Sequence, residues 1–264
     1  MQRREFIAAS LATSALALAQ EGGAQAAPAA TREYYLIRRY NLQSGPQTGL
    51  TGKYIADALI PALGRMGLGP VGAFNLDIGP ETPAIIALIP GPTAESLAEL
   101  NHRLTQDADF MKAAAPFWSA PATAPPFQRV ESSLLSAFEG WPKLTLPPGS
   151  ATKAKRIFQL RTYESPSPAA HVRKVEMFNS GEFEIFKTAG FHPVFFGDTL
   201  VGTRLPSLTY MLSLSSTDEL NARWDAFRDN PDWKKLSSDP RYAYEPIVSN
   251  ITNLILSPMG CSQI

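Results

Sequence analysis

Cysteine is nearly absent: Cys261 stands alone in the chain, so no internal disulfide forms even in an oxidising compartment, and it reads as a tolerated tail residue. Histidine is almost as scarce. His102, His171 and His192 with one cysteine give none of the usual metal-ligand spacings, and no metal site is expected. Neither charge sign is in excess, with Lys plus Arg and Asp plus Glu at 24 each, which favours neither nucleic acid nor an anionic membrane as partner. After the N-terminal leader no apolar run reaches the ~20 residues of a spanning helix, so no stable membrane insertion of the mature chain is expected. A Gly-x-Ser-x-Gly elbow is missing. Gly67-Leu68-Gly69-Pro70-Val71-Gly72 spells a dinucleotide fingerprint but follows a helical pattern and enters a strand, the reverse of the order that aims amides at a pyrophosphate.

What is present begins with a leader. In 1–26, Arg3-Arg4 precede Phe6-Ile7, an alanine-rich apolar stretch follows, and small residues close it at Ala24-Gln25-Ala26. Arg3-Arg4-Glu5-Phe6-Ile7 resembles a twin-arginine signal, with Gln2 and Ala8 departing from the usual flanks; an ordinary secretory signal is the competing reading. Either makes the protein exported, to the periplasm or beyond the cell.

The rest of the chain contains itself twice, 123 residues apart. Arg161 falls on Arg38, Tyr163 on Tyr40, Gly190 on Gly67, Pro193 on Pro70, Gly202 on Gly79, Pro206 on Pro83, Leu220 on Leu97 and Asp232 on Asp109. Matches rich in Gly and Pro repeat the order of turns, not merely an apolar bias. Strands are predicted over 34–40, 71–78, 84–89 and 127–136, with a loop at 44–52 and helices over 53–66 and from 94. The second copy repeats the order: strands 156–163, 192–201, 207–214 and 247–256, a helix over 169–189, and another opened by the capping box Ser216 and Glu219. The expected division is a first domain at 33–138, a Pro-rich linker at 139–155 and a second domain at 156–257. Each βαββαβ copy has helices for one sheet face only, so the expected fold is α+β: two tandem ferredoxin-like repeats closed into a dimeric α/β-barrel within one chain. A homodimer of that fused chain is left open.

The run Phe158-Gln159-Leu160-Arg161-Thr162-Tyr163, the helix end Ala189-Gly190 and Asn230-Pro231-Asp232-Trp233 resemble the NIPSNAP family, a branch of the dimeric α/β-barrel group. The likeness covers about 156–257 well and 33–135 less well, where Arg38-Arg39-Tyr40 and Asp109-Phe110 depart from the pattern. Related barrels include small monooxygenases, haem-degrading enzymes and ligand-binding proteins. NIPSNAP members share no agreed reaction, so the resemblance implies a fold and not a chemistry.

The candidate chemistry lies in the second copy. Glu182 interrupts the apolar helix stripe of Val172, Val175, Phe178, Ile185, Phe186 and Ala189, where the first copy has Leu59. A carboxylate buried there needs a partner and has its pKa pushed up. Glu182 is the candidate base or orienting carboxylate, with Arg161 as stabiliser of developing charge and Tyr163 as hydrogen-bond donor. A structural bridge between Glu182 and Arg161 is the competing reading. On one strand face Gln159, Arg161 and Tyr163 imply either a polar barrel interior or a ligand site. Phe178, Phe186 and Phe195 could floor an apolar pocket, and His171 lies near the azimuth of Glu182 but about 16 Å along the helix axis, too far for one acid/base pair. A small, partly apolar molecule is the expected ligand and no cofactor is expected, although His171 or His192 could serve a haem as axial contact. Enzyme, binding module and scaffold all stay open; as an enzyme, the chain would be a cofactor-independent monooxygenase-like or isomerase-like one.

Overall fold

The computed structural model describes residues 31–264, so the leader expected at 1–26 lies outside the described residues. Apolar alternation is realised as eight strands: β1 (Tyr34–Asn41), β2 (Gly72–Ile78), β3 (Ala84–Gly91), β4 (Arg129–Ala137), β5 (Ile157–Glu164), β6 (His192–Val201), β7 (Ser207–Leu214) and β8 (Asn250–Pro258). Every pairing is antiparallel and the sheet closes on itself in the order β1-β3-β2-β8-β5-β7-β6-β4. The fold is therefore α+β around an eight-stranded antiparallel barrel. Each half supplies four neighbouring strands, and the seams are reciprocal: β2 closes on β8, and β6 on β4.

The 123-residue offset survives into the register. Tyr34 faces Gly91 across β1 and β3, and Ile157 faces Leu214 across β5 and β7. The helix Ile60–Arg65 matches Phe183–Thr188, and both halves then turn at glycines of positive φ, Gly67 at 71° and Gly190 at 84°, as a helix C-terminus favours. The Gly67–Gly72 fingerprint is thus a helix exit leading into β2.

Strand alternation sorts side chains into three apolar clusters. Tyr35, Phe74, Leu88, Leu135, Phe158, Phe195, Met211 and Leu256 fill the barrel interior. Ile55, Leu59, Leu63 and Phe110 lie in the cluster of the first half, and Phe178, Phe186, Phe196, Tyr210 and Phe227 in that of the second. Each fully buried ring contributes roughly 1.5–3 kcal/mol. Since Phe158 and Leu160 belong to the interior cluster, the alternate residues Gln159, Arg161 and Tyr163 face outward to the helices. Those three residues therefore stay out of the lumen, which is apolar around Phe158 and polar at its other end, where Arg39, Glu131, Thr162 and Thr209 line a small cavity.

Two expectations about elements fail for identifiable reasons. The stretch 44–52 is not a loop: a helix runs Pro46–Lys53, because Pro46 suits the first turn and the Gln47 amide and Thr51 hydroxyl donate to the carbonyls of Pro125 and Pro126 at 2.9 and 3.0 Å. The last strand starts at Asn250 instead of 247, since Asn250 pairs with Glu164 at the end of β5 and a short helix occupies Tyr244–Ile247. Among the described residues no helix is long and apolar enough to cross a membrane.

Candidate functional site

The long helix expected over 169–189 is not uniform. It runs as Pro168–Met177, widens into a π-helical segment at Phe178–Glu182, and resumes as Phe183–Thr188. A π turn absorbs about one extra residue, which retards the helix face by ~90–100°. Lys174 and Glu182, eight residues apart and about 80° out of phase on a regular helix, are thereby brought onto one face. The same shift turns His171 away from Glu182.

The outcome is a buried ion pair. Lys174 Nζ donates to Glu182 Oε2 at 2.9 Å, and each side chain is 2% exposed. Lys174 is seated among aromatic rings, with Nζ 4.7 Å from the Phe178 centroid and 5.3 Å from that of Tyr163. Burial holds the Glu182 carboxyl above its ordinary value, although Lys174 and then Arg161 pull it down. The competing structural reading paired Glu182 with Arg161; Lys174 is hydrogen-bonded to it, and the charge of Arg161 also acts on the carboxylate.

These groups line an open cavity of about 560 Å³ between β5, the broken helix and the helix Thr217–Asp229. The strand supplies Gln159, Arg161 and Tyr163, and the helices supply Lys174, Glu182 and Trp224. The Arg161 guanidinium stacks between Trp224 at 4.5 Å and Tyr163 at 5.1 Å from the ring centroids. The Trp224 indole N–H donates to Gln159 Oε1 at 2.9 Å, fixing that wall. Beneath it, the buried Tyr210 hydroxyl donates to the Tyr163 hydroxyl at 3.0 Å, and burial drives the Tyr210 phenol far up. A cavity of this size with a few convergent polar groups on aromatic walls can hold a small molecule and exchange a proton with it.

The structure brings Glu182, Arg161 and Tyr163 together, with Phe178 and Phe186 packed behind them: Phe178 against Lys174, Phe186 against Trp224. The other three candidates lie elsewhere. His171 Nε2 bonds Asp198 Oδ1 at 2.7 Å, His192 is exposed at the start of β6, and Phe195 belongs to the barrel interior beside Tyr35. The Cys261 thiol is pushed up by burial, the opposite of an activated thiolate. Sequence reading missed Lys174 because its alignment with Glu182 depends on the π turn, which no local pattern announces. It also passed over Trp224, which is a cavity wall besides a helix-face aromatic.

A second cavity, of about 540 Å³, occupies the corresponding place in the first half. Arg38 and Tyr40 line it as Arg161 and Tyr163 line the other, and a π-helical segment again precedes the matched helix, at Tyr54–Leu59. The ion pair is missing there, since the matched residues are Thr51 and Leu59.

Residues 158–263 match the family model described as NIPSNAP. Comparison with curated proteins finds no match. Among solved structures, a proposed monooxygenase from Fusobacterium nucleatum superposes with a TM-score of 0.57 at 10% identity, over 87% of this chain and 93% of its own. Another proposed monooxygenase, from Lactobacillus acidophilus, gives 0.53 at 8% over 86% and 94%. An anthrone oxidase-like protein gives 0.50 at 11% over 88% and 93%. At such identities the likeness is one of fold.

Proposed function

With residues 158–263 forming a NIPSNAP domain, we propose that the cavity of the second half binds a small, partly apolar carbonyl compound and moves a proton on it. The observation that carries this reading is the Glu182 carboxylate: it is buried, its proton affinity is raised, and it lines an open cavity instead of sealed core. A carboxylate raised toward neutrality is a stronger base than an ordinary one. Glu182 takes a proton from the carbon beside the carbonyl, the electron pair moves onto the carbonyl oxygen, and Arg161 with the Tyr163 hydroxyl stabilises the oxyanion. Lys174 holds Glu182 in place and limits its pKa. Return of the proton to a different atom completes an isomerisation.

Neither His171, bonded to Asp198, nor the exposed His192 lines this cavity, so the residues present do not fit a haem there and no step is routed through one. The frame is read as two ferredoxin-like repeats fused in one chain, a reading supported by the shared offset and the reciprocal seams. The leader at 1–26 supports action outside the cytoplasm.

The test uses the paired variant Lys174→Thr/Glu182→Leu, which copies the first half and leaves no buried charge alone. Wild type is incubated in deuterated water with a panel of enolisable aryl ketones, and carbon-bound deuterium is measured by mass spectrometry. Exchange in wild type and its loss in the folded double variant is the expected result. Equal exchange in both proteins, or none from wild type together with a clean apo mass of the gently purified protein, sinks the reading.

A further inference from the structure

In the first half, the fate of one cation differs from that of its counterpart. Arg38 is 92% buried by its 8% exposure, and its guanidinium Nη2 donates to Asn101 Oδ1, a neutral acceptor, at 2.8 Å. No Asp or Glu lines its cavity, and among the described residues no carboxylate forms an ion pair with it. The counterpart Arg161 faces Glu182 and stacks on Trp224; the positions matching those two are Leu59 and Asn101. A buried guanidinium with no counter-charge, aimed into an open cavity, is a favourable place for an anion. The walls set the remainder of the ligand. Tyr54 and Phe117 stack face to face at 3.9 Å between centroids and 6° between planes, and Trp118 and Phe127 join the lining. The Tyr54 phenol is pushed far up by burial, with its hydroxyl bonded to that of Tyr40, so it stays neutral and does not repel an anion.

We propose that the first-half cavity is a separate binding site for a small aromatic carboxylate, whose carboxylate is held by Arg38 and whose ring packs against the Tyr54 and Phe117 wall. This site stands independently of the proton-transfer reading for the second half. The two halves then hold different ligands: an aromatic anion where Arg38 has no carboxylate beside it, a carbonyl compound where the Lys174 and Glu182 pair accompanies Arg161.

The test titrates 2-naphthoate and its uncharged analogue 2-naphthamide into the full chain by calorimetry. Saturable binding of naphthoate, at least tenfold tighter than the amide, is expected. Arg38→Met should abolish that preference, while Arg161→Met should leave it. Should Arg38→Met fail to fold, Asn101→Asp answers instead, since it places a carboxylate on Arg38 with almost no change of shape. It should weaken naphthoate at least tenfold and leave the amide unchanged. Equal affinity for the two probes, no saturable naphthoate binding, insensitivity to Asn101→Asp, or loss through Arg161→Met would each overturn the assignment.

Discussion

The two cavities share a frame and differ in whether a buried ion pair stands beside the strand arginine. Both lie between the first strand of a half, a helix broken by a π turn, and the second helical region, and both carry an Arg-x-Tyr on the strand. In the second half Lys174 and Glu182 form a buried pair; in the first, Thr51 bonds a backbone carbonyl and Leu59 joins the apolar cluster. The frame decides where a cavity forms, and two side chains decide which chemistry it suits. Burying an ion pair costs several kcal/mol per ion in desolvation, which the attraction of the pair offsets only in good geometry. A hydrophobe and a hydroxyl serve the same architecture in the first half, so the pair is not required by the fold.

That contrast is broken or upheld most sharply by removing one partner. Glu182→Leu alone leaves Lys174 buried without its carboxylate, and Lys174→Thr alone strands Glu182; each should cost about 3–5 kcal/mol in urea unfolding. Both together should be neutral or stabilising by up to ~4 kcal/mol. Additive losses in the double variant would mean that the two residues stabilise the fold separately and that the halves differ in architecture after all.

A smaller effect tests how Glu182 is aimed. Just before it, Gly181 has φ 157°, a backbone conformation that side chains rarely adopt, whereas the first half places Ala58 at the matching position. A Cβ at Gly181 would meet only Leu236 Cδ2, at 3.9 Å, so the cost of Gly181→Ala is one of backbone and not of space. It should lower stability by about 1–3 kcal/mol and reduce deuterium exchange. Ala58→Gly, which asks for no unusual conformation, should cost only ~0.5–1 kcal/mol. Equal effects at both positions would show the two π turns to be interchangeable.

Much of the frame was legible because it rests on local rules. Turn-forming Gly and Pro recur at one offset, strands alternate, and Ser216 caps its helix by accepting from the Glu219 N–H at 3.2 Å, with the Glu219 carboxylate reaching back to Ser215. The outlier status of Glu182 was visible for the same reason, a carboxylate interrupting an apolar stripe. Its partner was not. A regular helix puts His171 in line with Glu182, and one π turn replaces it with Lys174. The outward direction of Arg161 and Tyr163 also depended on which sheet face closes the barrel, a long-range choice that alternation alone leaves undecided. The early end of the loop before Pro46 depended on the carbonyls of Pro125 and Pro126, far along the chain.

The smallest effect, and the one most specific to the pair, is the pH dependence of stability. The folded protein holds the Glu182 proton to higher pH than the unfolded chain, where the ordinary value is 4.5. Between that value and the raised one the folded state binds more protons, so this contribution to stability is complete below the window and falls as pH climbs through it. The slope cannot exceed about 1.4 kcal/mol per pH unit for one proton. Asp107, Glu219 and Asp239, whose carboxyls are held low by hydrogen bonds, act in the opposite sense, but they lie outside the pair and cancel between two proteins that share them. Thermal melts of wild type and Lys174→Thr/Glu182→Leu should therefore diverge in favour of the double variant from about pH 4.5 upward. Parallel curves would mean that Lys174 keeps Glu182 ionised throughout, and the carboxylate would then be a structural anion with no more basicity than any other.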